Sequence, residues 1–182
     1  MNSLQLYEKV VARDLVLKLA FKNATQCPKL VQADLSLSNK LINAEKLILL
    51  PYFLALLLVA GQKPSVIRAK KSVATFHLKK GALFGCFVTL RKKNLSQFFL
   101  KFCLTLFPKV QKPTRTNFAS FQKNKVDFGF DSFLKCVEVQ TNTDLFDFLS
   151  GCSCSLKTTS NNTVHTQIFM SGLQFPVFQK NS

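Results

Sequence analysis

An 81-residue segment in the middle of this chain carries no acidic side chain. Residues 46–126 hold sixteen Lys or Arg and no Asp or Glu, whereas the remaining residues hold nine basic and nine acidic side chains. The whole formal net charge of +16 therefore lies in this segment, which we call the basic block. Cations at this density repel one another in a compact state unless a polyanion neutralises them, and a phosphate backbone is the usual polyanion. The basic block thus predicts a nucleic-acid partner.

The rest of the composition predicts a folded domain rather than a basic tail. Hydrophobic residues make up 47% of the 182 residues. A chain of this length and apolar content can bury a core in one undivided domain. We therefore predict a single domain over residues 1–182, with the basic, nucleic-acid-binding block at 46–126.

The uncharged segment LILLPYFLALLLVA, residues 47–60, raises the alternative of a membrane partner. Its fourteen residues fall short of the roughly 20 that a membrane-spanning helix needs. Pro51 suits the first turn of a helix, and Gly61 suits the position just past its end. We predict a helix over 51–60 that is apolar nearly all round, enclosed by sheet and a neighbouring helix, and no membrane partner. The residues after Met1 lack the features of a signal or transit peptide.

Residues that could carry catalysis or bind metal are sparse. The six cysteines are scattered and lack the paired spacing of a zinc site. They are Cys27, Cys86, Cys103, Cys136, Cys152 and Cys154. The basic block also offers no carboxylate pair or metal-ligand cluster, which an enzyme acting on nucleic acid would need. We predict that the chain is not an enzyme and uses no metal or cofactor.

Helical and strand patterns are intermingled along the chain. Residues 4–19 have a helical pattern, and residues 29–37 alternate apolar and polar side chains as a half-buried strand does. At 83–91, Cys86, Val88 and Leu90 share one face, while Phe87, Thr89 and Arg91 share the other. Strand patterns also occur in FLKCVEV, residues 133–139, and in GCSCSLKTT, residues 151–159. The pattern of TVHTQIFMS, residues 163–171, predicts a last helix. The pattern predicts an α+β fold, a mostly antiparallel sheet with helices packed on one face.

Residues 61–91 closely resemble the signature of the ribosomal large-subunit protein five family. Their sequence is GQKPSVIRAKKSVATFHLKKGALFGCFVTLR. That signature contains GQKP, a basic KARKS-like segment and GxxVTLR in this order and spacing. Outside it, LYEKVVARDLVLKL and QCPKLV resemble the family's first helix and the entry into its first strand. GCSCSLKTTSNN resembles its terminal strand, and LQFPVF resembles its closing segment. The resemblance covers nearly the whole chain.

The resemblance implies a structural RNA-binding protein of the central protuberance. Such a protein binds 5S rRNA and large-subunit rRNA, contacts P-site transfer RNA through a basic loop, and meets neighbouring large-subunit proteins and a small-subunit head protein. Carried over position by position, the expected RNA-binding residues are Ser36, Gln62, Lys63, Arg68, Lys70, Lys71, Thr89, Arg91, Thr158 and Thr159. The expected transfer-RNA loop contains Ser72, Thr75, Phe76, His77, Lys79 and Lys80. Gly81 and Gly85 are expected to permit tight backbone turns in this region.

Some positions depart from the family pattern. Ser36 stands where the family has an RNA-contacting asparagine, Thr75 replaces a turn glycine, and Phe87 replaces a lysine. The loop at 110–126, which the resemblance assigns to the small-subunit bridge, keeps little of the family's Arg- and Gly-rich composition. The 21 Lys against 4 Arg, with 19 Phe and no Trp, are typical of an A+T-rich organellar genome and favour a mitochondrial ribosome over a plastid or bacterial one.

A second hypothesis is a non-ribosomal protein that binds single-stranded RNA. The segment VDFGF, at 126–130, resembles the aromatic strand of an RNA-recognition motif, although the full pattern of that motif is missing. Co-sedimentation discriminates between the two hypotheses, because a ribosomal protein should stay with large subunits at moderate salt and a free binder should not.

Overall fold

The structure is a computed structural model that describes residues 3–21, 23–39, 42, 45–76, 78–106, 119–130, 133, 136–141, 143–146, 149 and 151–175. The helices in this part of the chain are α1 (Ser3–Leu19), α2 (Leu49–Ala60), α3 (Lys92–Lys101), α4 (Val137–Gln140), α5 (Thr143–Phe146) and α6 (Thr163–Gly172). The strands are β1 (Leu30–Ser38), β2 (Ser65–Arg68), β3 (Leu83–Arg91), β4 (Ala119–Phe121), β5 (Lys125–Phe130) and β6 (Cys152–Thr158).

The strands pair in the order β2-β3-β1-β6-β5-β4. β2 pairs with β3, and β4 pairs with β5, in antiparallel register. β1 and β3 are antiparallel too, because the contacts Asn39–Phe84 and Asp34–Thr89 run in opposite directions along the two strands. Along most of β1 and β3, buried residues alternate with more accessible ones. The predicted α+β fold, with an antiparallel sheet that is covered on one face, is confirmed.

The chain forms two compact units, each assembled from separate segments. The first contains the described residues of Met1–Ala33, Arg91–Gly129 and Cys154–Ser182. The second contains those of Asp34–Leu90 and Phe130–Ser153. Neither unit is a continuous piece of chain, so no single position in the sequence is a boundary between them. The single domain over 1–182 stays a prediction.

Aromatic side chains form the core of the first unit. Phe102, directly after α3, is buried, and its ring centroid lies 6.2 Å from that of Phe98 and 4.9 Å from that of Phe128. Phe175 closes the cluster at 6.0 Å from Phe102. Pairs at these distances add to the stabilisation that burial of apolar area provides. The phenylalanines at helical spacing from 98 to 102 therefore belong to the core.

Helix α2 belongs to the second unit, where α4 and α5 pack against it. It ends at Gly61, whose φ of 63° lies in the left-handed region and whose N–H donates to the carbonyl oxygen of Leu57. The predicted end of the helix is thus confirmed, since glycine adopts this conformation without strain. Within the described residues, none of the helices has the length and apolar character needed to cross a membrane.

The expected enclosure of α2 is wrong, because one side of the helix is exposed. Leu50, Leu54, Leu57 and Leu58 are 61%, 37%, 36% and 43% exposed. The buried side consists of Tyr52, Ala55, Leu56, Val59 and Ala60. An apolar composition shows that a helix can be buried all round, but the number of neighbouring elements decides whether it is.

The strand expected at FLKCVEV is also wrong, since Val137–Gln140 is helix α4. A short apolar run fits a strand and a buried helical turn equally well. Here α4 packs against α2, and its Val139 is buried. Tertiary packing therefore decides the local structure of this segment.

Gly85 serves a close approach rather than a turn. A Cβ atom built on it would overlap the carbonyl oxygen of Leu37 and lie 3.1 Å from the Cα atom of Ser38. Only glycine lets β3 run this close to β1. Gly81 has the expected role, because its φ of 86° places it in the left-handed region. Both glycines were expected to permit a tight backbone turn. That expectation is right for Gly81 and wrong for Gly85.

All six cysteines are free thiols. Burial raises the pKa of the Cys86 thiol from 9.0 to about 11, and it raises the pKa of Cys103 to about 12. Within the described residues, no three His, Cys, Asp or Glu side chains lie close enough together to hold a metal ion. The thiols of Cys86 and Cys103 are therefore protonated at neutral pH and serve as packing groups.

We expect the folded chain to lose stability as the pH rises from about 9 to about 11. The folded state holds the proton of Cys86 more tightly than the unfolded state does, so its contribution is complete below pH 9 and rising pH then favours unfolding. Cys86→Ala removes this contribution. Its denaturation midpoint should fall less steeply with pH than that of the wild type. Equal slopes for the two proteins would contradict the expectation.

Candidate nucleic-acid interface

Accessible polar side chains lie on the strands of the second unit. On β1, Asp34 and Ser36 are half-buried and alternate with buried leucines. On β3, Thr89 is half-buried and Phe87 is 41% exposed. Alternate residues of a strand point to opposite faces, so these four side chains lie on the face away from the buried core.

Gln62 and Thr89, both predicted to bind RNA, are brought together by hydrogen bonds. Gln62 follows the end of α2, and its Nε2 donates to the carbonyl oxygen of Thr89 at 3.3 Å. The Oγ1 of Thr89 donates to Oδ1 of Asp34 at 2.8 Å. Since the proton of this hydroxyl is directed at a carboxylate, the Thr89 oxygen can serve a ligand only as an acceptor.

Arg91, another predicted RNA-binding residue, ends strand β3 and belongs to the first unit. It is exposed, and its Nε and Nη2 donate to Oε1 of Gln32 at 3.1 and 3.0 Å. This partner is an uncharged amide, which orients the guanidinium without cancelling its charge. On β5, Lys125 Nζ lies 3.2 Å from Asp127 Oδ1 in a partly exposed ion pair. The orientation of Arg91 therefore suits contact with an anion better than that of Lys125 does.

The predicted pair Thr158 and Thr159 does not face one side. Thr159 is exposed, and its Oγ1 accepts from the backbone N–H of Lys29 at 2.9 Å. Thr158 is buried, and its Oγ1 donates to the carbonyl oxygen of Asn124 at 3.4 Å. Neighbouring residues of an extended chain point to opposite faces, so Thr159 is the accessible member of this pair, and RNA binding by Thr158 stays a prediction.

The described residues of the predicted transfer-RNA loop form two backbone-paired arms between β2 and β3. Ala69 N donates to Ala82 O at 2.9 Å, and Gly81 N donates to Ala69 O at 2.9 Å. Nearer the tip, Val73 and Leu78 exchange two backbone hydrogen bonds of 2.9 and 3.1 Å. These bonds fix the two arms of the hairpin side by side.

The hairpin brings two pairs of lysines together. Lys70 and Lys71 lie on the first arm, Lys79 and Lys80 lie on the second, and all four are exposed. The Oγ of Ser72 accepts from the backbone N–H of Lys80 at 3.0 Å and ties the arms together between the lysine pairs. Four like charges on one short hairpin raise its electrostatic energy, which a bound polyanion lowers. We call residues 69–82 the lysine hairpin.

The remaining predicted residues fall into two groups. Lys63, Arg68 and Thr75 are exposed, as a role in RNA binding requires. His77 and the side chain of Phe76 lie outside the described residues.

About half of the loop assigned to the small-subunit bridge, 110–126, lies outside the described residues, which resume at Ala119. From there β4 pairs with β5, with Ser120 opposite Asp127. The bridge stays a prediction.

Sequence reasoning did not single out Gln32, Asp34 and Phe87, each of which lies next to a predicted RNA-binding residue. The alternation over 29–37 had already placed Gln32 and Asp34 on the same side as Ser36. That signal shows which residues share a face, but it does not show which of them hydrogen-bond to the next strand. Phe87 was identified only as a departure from the family pattern.

The aromatic strand that resembled an RNA-recognition motif does not present its rings to a ligand. Phe128 and Phe130, on β5, are both buried. Phe128 lies in the aromatic core of the first unit, with its ring 5.2 Å from that of Phe175. Stacking of unpaired bases needs exposed rings, so VDFGF gives no support to the second hypothesis.

Comparisons with known proteins agree with the resemblance seen in the sequence. A family model for the C-terminus of the ribosomal large-subunit protein five (uL5) family matches residues 83–177. The chain is 29% identical over 172 residues to "Large ribosomal subunit protein uL5m" of Reclinomonas americana, covering 94% of each chain. It is 30% identical over 162 residues to the protein of the same name from Prototheca wickerhamii, covering 86% of this chain and 70% of the relative.

Proposed function

The chain belongs to the ribosomal large-subunit protein five (uL5) family, and on that premise we propose that it binds 5S rRNA through its accessible strand residues and contacts P-site transfer RNA through the lysine hairpin. It is a mitochondrial ribosomal protein and a structural constituent of the large subunit rather than an enzyme. Its partners are rRNA and other large-subunit proteins. The two specific RNA contacts are the proposal.

The observation that carries the 5S contact is the hydrogen-bonded group of Gln62, Thr89 and Asp34. A carboxylate repels phosphate, so the RNA atoms nearest to Asp34 are 2′-hydroxyls and base edges rather than phosphates. Thr89 offers an acceptor to a 2′-hydroxyl, and the exposed ring of Phe87 offers an apolar surface to a ribose or base. The phosphates then lie against cations such as Lys63 and Arg68, which position the RNA without reading its sequence.

The lysine hairpin supports the transfer-RNA contact. Its two arms are held by backbone hydrogen bonds, so four ammonium groups reach a ligand on a defined support. Lysine acts on phosphate as a compact point charge and does not demand a particular base. Binding that does not depend on base sequence suits transfer RNA, because each codon brings a transfer RNA of different sequence to the same site.

Replacing Gln62 and Thr89 together by alanine should weaken binding of the 5S rRNA of the same mitochondrion by roughly tenfold. Two lost hydrogen bonds cost about 1–3 kcal/mol in total. The slope of log affinity against log salt should stay unchanged, because neutral side chains release no counterions. Filter binding of the full-length chain over a series of salt concentrations measures both quantities.

The matched control is Gln97→Ala on the exposed side of α3, which should keep wild-type affinity. A loss in the control equal to that of the double variant would contradict the assignment. So would a double variant whose salt slope changes as much as that of a lysine variant.

Co-sedimentation separates this function from that of a free single-strand RNA-binding protein. A large-subunit protein should remain with large subunits at moderate salt. Recovery of the chain only in lighter fractions would favour the free binder.

A further inference from the structure

Helix α2 presents a continuous leucine stripe to solvent. Leu50, Leu54, Leu57 and Leu58 are between 36% and 61% exposed. At 100° per residue these positions fall within a sector of about 100° on one side of the helix. Leu47, in the 3-10 turn before the helix, is 86% exposed and extends the row. We call these five residues the leucine stripe.

The leucine stripe is not a consequence of a poorly packed helix. The opposite side of α2 is buried, and Tyr52, Ala55 and Leu56 have no exposed surface. The hydroxyl of Tyr52 also accepts a hydrogen bond of 2.7 Å from Asn39 Nδ2. The helix is therefore fixed on its inner side and apolar on its outer side. Contiguous exposed apolar surface of this kind marks interaction sites.

The two helices that pack against α2 carry acidic side chains, and one exposed cation, Lys46, lies in the turn before α2. Helices α4 and α5 pack against α2 and carry Glu138 and Asp144. Glu45 is exposed and directly precedes the turn that contains Leu47. In the sequence, residues 131–147 hold four acidic residues and one lysine, although the whole chain has a net charge of +16. Within the described residues, α4 and α5 thus carry acidic side chains and no Lys or Arg.

We propose that the leucine stripe is the docking surface for a segment of a neighbouring large-subunit protein whose apolar residues are flanked by Lys or Arg. The apolar residues cover the leucines, and the flanking cations face the acidic residues of α4 and α5. The proposal rests on the place of this chain in the large subunit. It does not depend on the 5S or transfer-RNA contacts.

Other occupants fit the leucine stripe less well. RNA would place phosphates beside carboxylates and leave the leucines without apolar partners. An anionic membrane attracts helices that carry several Lys or Arg beside the apolar face, whereas α2 has none and the turn before it has Lys46 alone. A second copy of the chain around a two-fold axis would bring the same acidic helices face to face.

A photoreactive leucine analogue at position 54, in assembled large subunits, tests the occupant directly. We expect a covalent adduct with another large-subunit protein, on a peptide in which Lys or Arg adjoins apolar residues. An adduct with rRNA, lipid or a second copy would overturn the proposal, as would no adduct at all in particles that contain the chain. The same analogue at Leu17, which is 83% exposed on α1 in the first unit, should not label that peptide.

The double variant Leu54→Gln with Leu58→Gln tests the contribution to assembly. After a high-salt wash, its retention on large subunits should be several-fold lower than that of the wild type. The matched control, Leu17→Gln with Leu104→Gln, changes two exposed leucines outside the stripe and should be retained normally. Denaturant unfolding of the free chains checks that both variants fold, since each replaced side chain is more than a third exposed.

The outcomes separate the proposal from the function on which it rests. Absence of the wild-type chain from large subunits would refute its placement there. Normal retention of the stripe variant, with the wild type present in the particle, would refute the docking surface alone.

Discussion

Replacing Gly85 by valine should destabilise the chain by about 3 kcal/mol or more, a large part of the roughly 5–15 kcal/mol that holds a typical domain together. The new Cβ would overlap the carbonyl oxygen of Leu37 in β1. β1 cannot retreat easily, because Leu37 is buried and Asn39 N donates to Phe84 O at 3.1 Å. Denaturant unfolding of the full-length free chain measures the loss.

Ser153→Val is the matched control, since Ser153 is an exposed strand residue in the same unit. It adds the same type of side chain to β6 at an exposed position, and its stability should stay within about 0.5 kcal/mol of the wild type. Equal free energies of unfolding for Gly85→Val and the wild type would contradict this expectation. They would show that β1 and β3 can move apart without loss of stability.

Replacing Lys70, Lys71, Lys79 and Lys80 together by glutamine should lower the affinity of the chain for transfer RNA by about a hundredfold or more at low salt. If each lysine contacts one phosphate, the salt slope should fall by up to about 3 to 4. The hairpin itself should remain folded, because its bonds join backbone atoms and Ser72 rather than lysine side chains. Salt-dependent binding to a mitochondrial transfer RNA gives both numbers.

The control removes the same number of charges from the first unit. Lys9, Arg13, Lys18 and Lys29 are all exposed, and their replacement by glutamine should leave most of the salt slope in place. If the two quadruple variants lose the same slope, net charge rather than the lysine hairpin governs binding. The assignment of the transfer-RNA contact would then be wrong.

Local signals in the sequence predicted many elements of the fold. Gly61 marked the end of α2 because few residues other than glycine adopt a left-handed conformation. Alternation over 29–37 gave β1, and it placed Ser36 and Asp34 on the accessible face. The charge pattern placed Lys63 and the lysine hairpin on the surface, since the cost of burying an unpaired ammonium group is very high.

Features that depend on a neighbouring element were not predictable in this way. The role of Gly85 follows from the distance to β1, which no local pattern contains. The hydrogen bond from Thr89 to Asp34 joins residues 55 positions apart. The leucine stripe was expected to be buried because composition shows how apolar a helix is, but not how many elements surround it. The sequence also does not show which of the consecutive residues Thr158 and Thr159 faces the solvent, because that depends on the neighbouring strand.

The position of β1 within the sheet bears on how the chain folds during its own synthesis. β1 is the first strand to be made, yet it lies between β3 and β6, and the bond from Lys29 to Thr159 closes a loop of 130 residues. Pairing over such a separation is slow, and an unpaired strand edge can pair with other chains in the meantime. A nascent chain that ends before residue 152 already contains the entire basic block but not β6. Translation therefore exposes the cationic surface to RNA before the strand that completes the pairing of β1 exists.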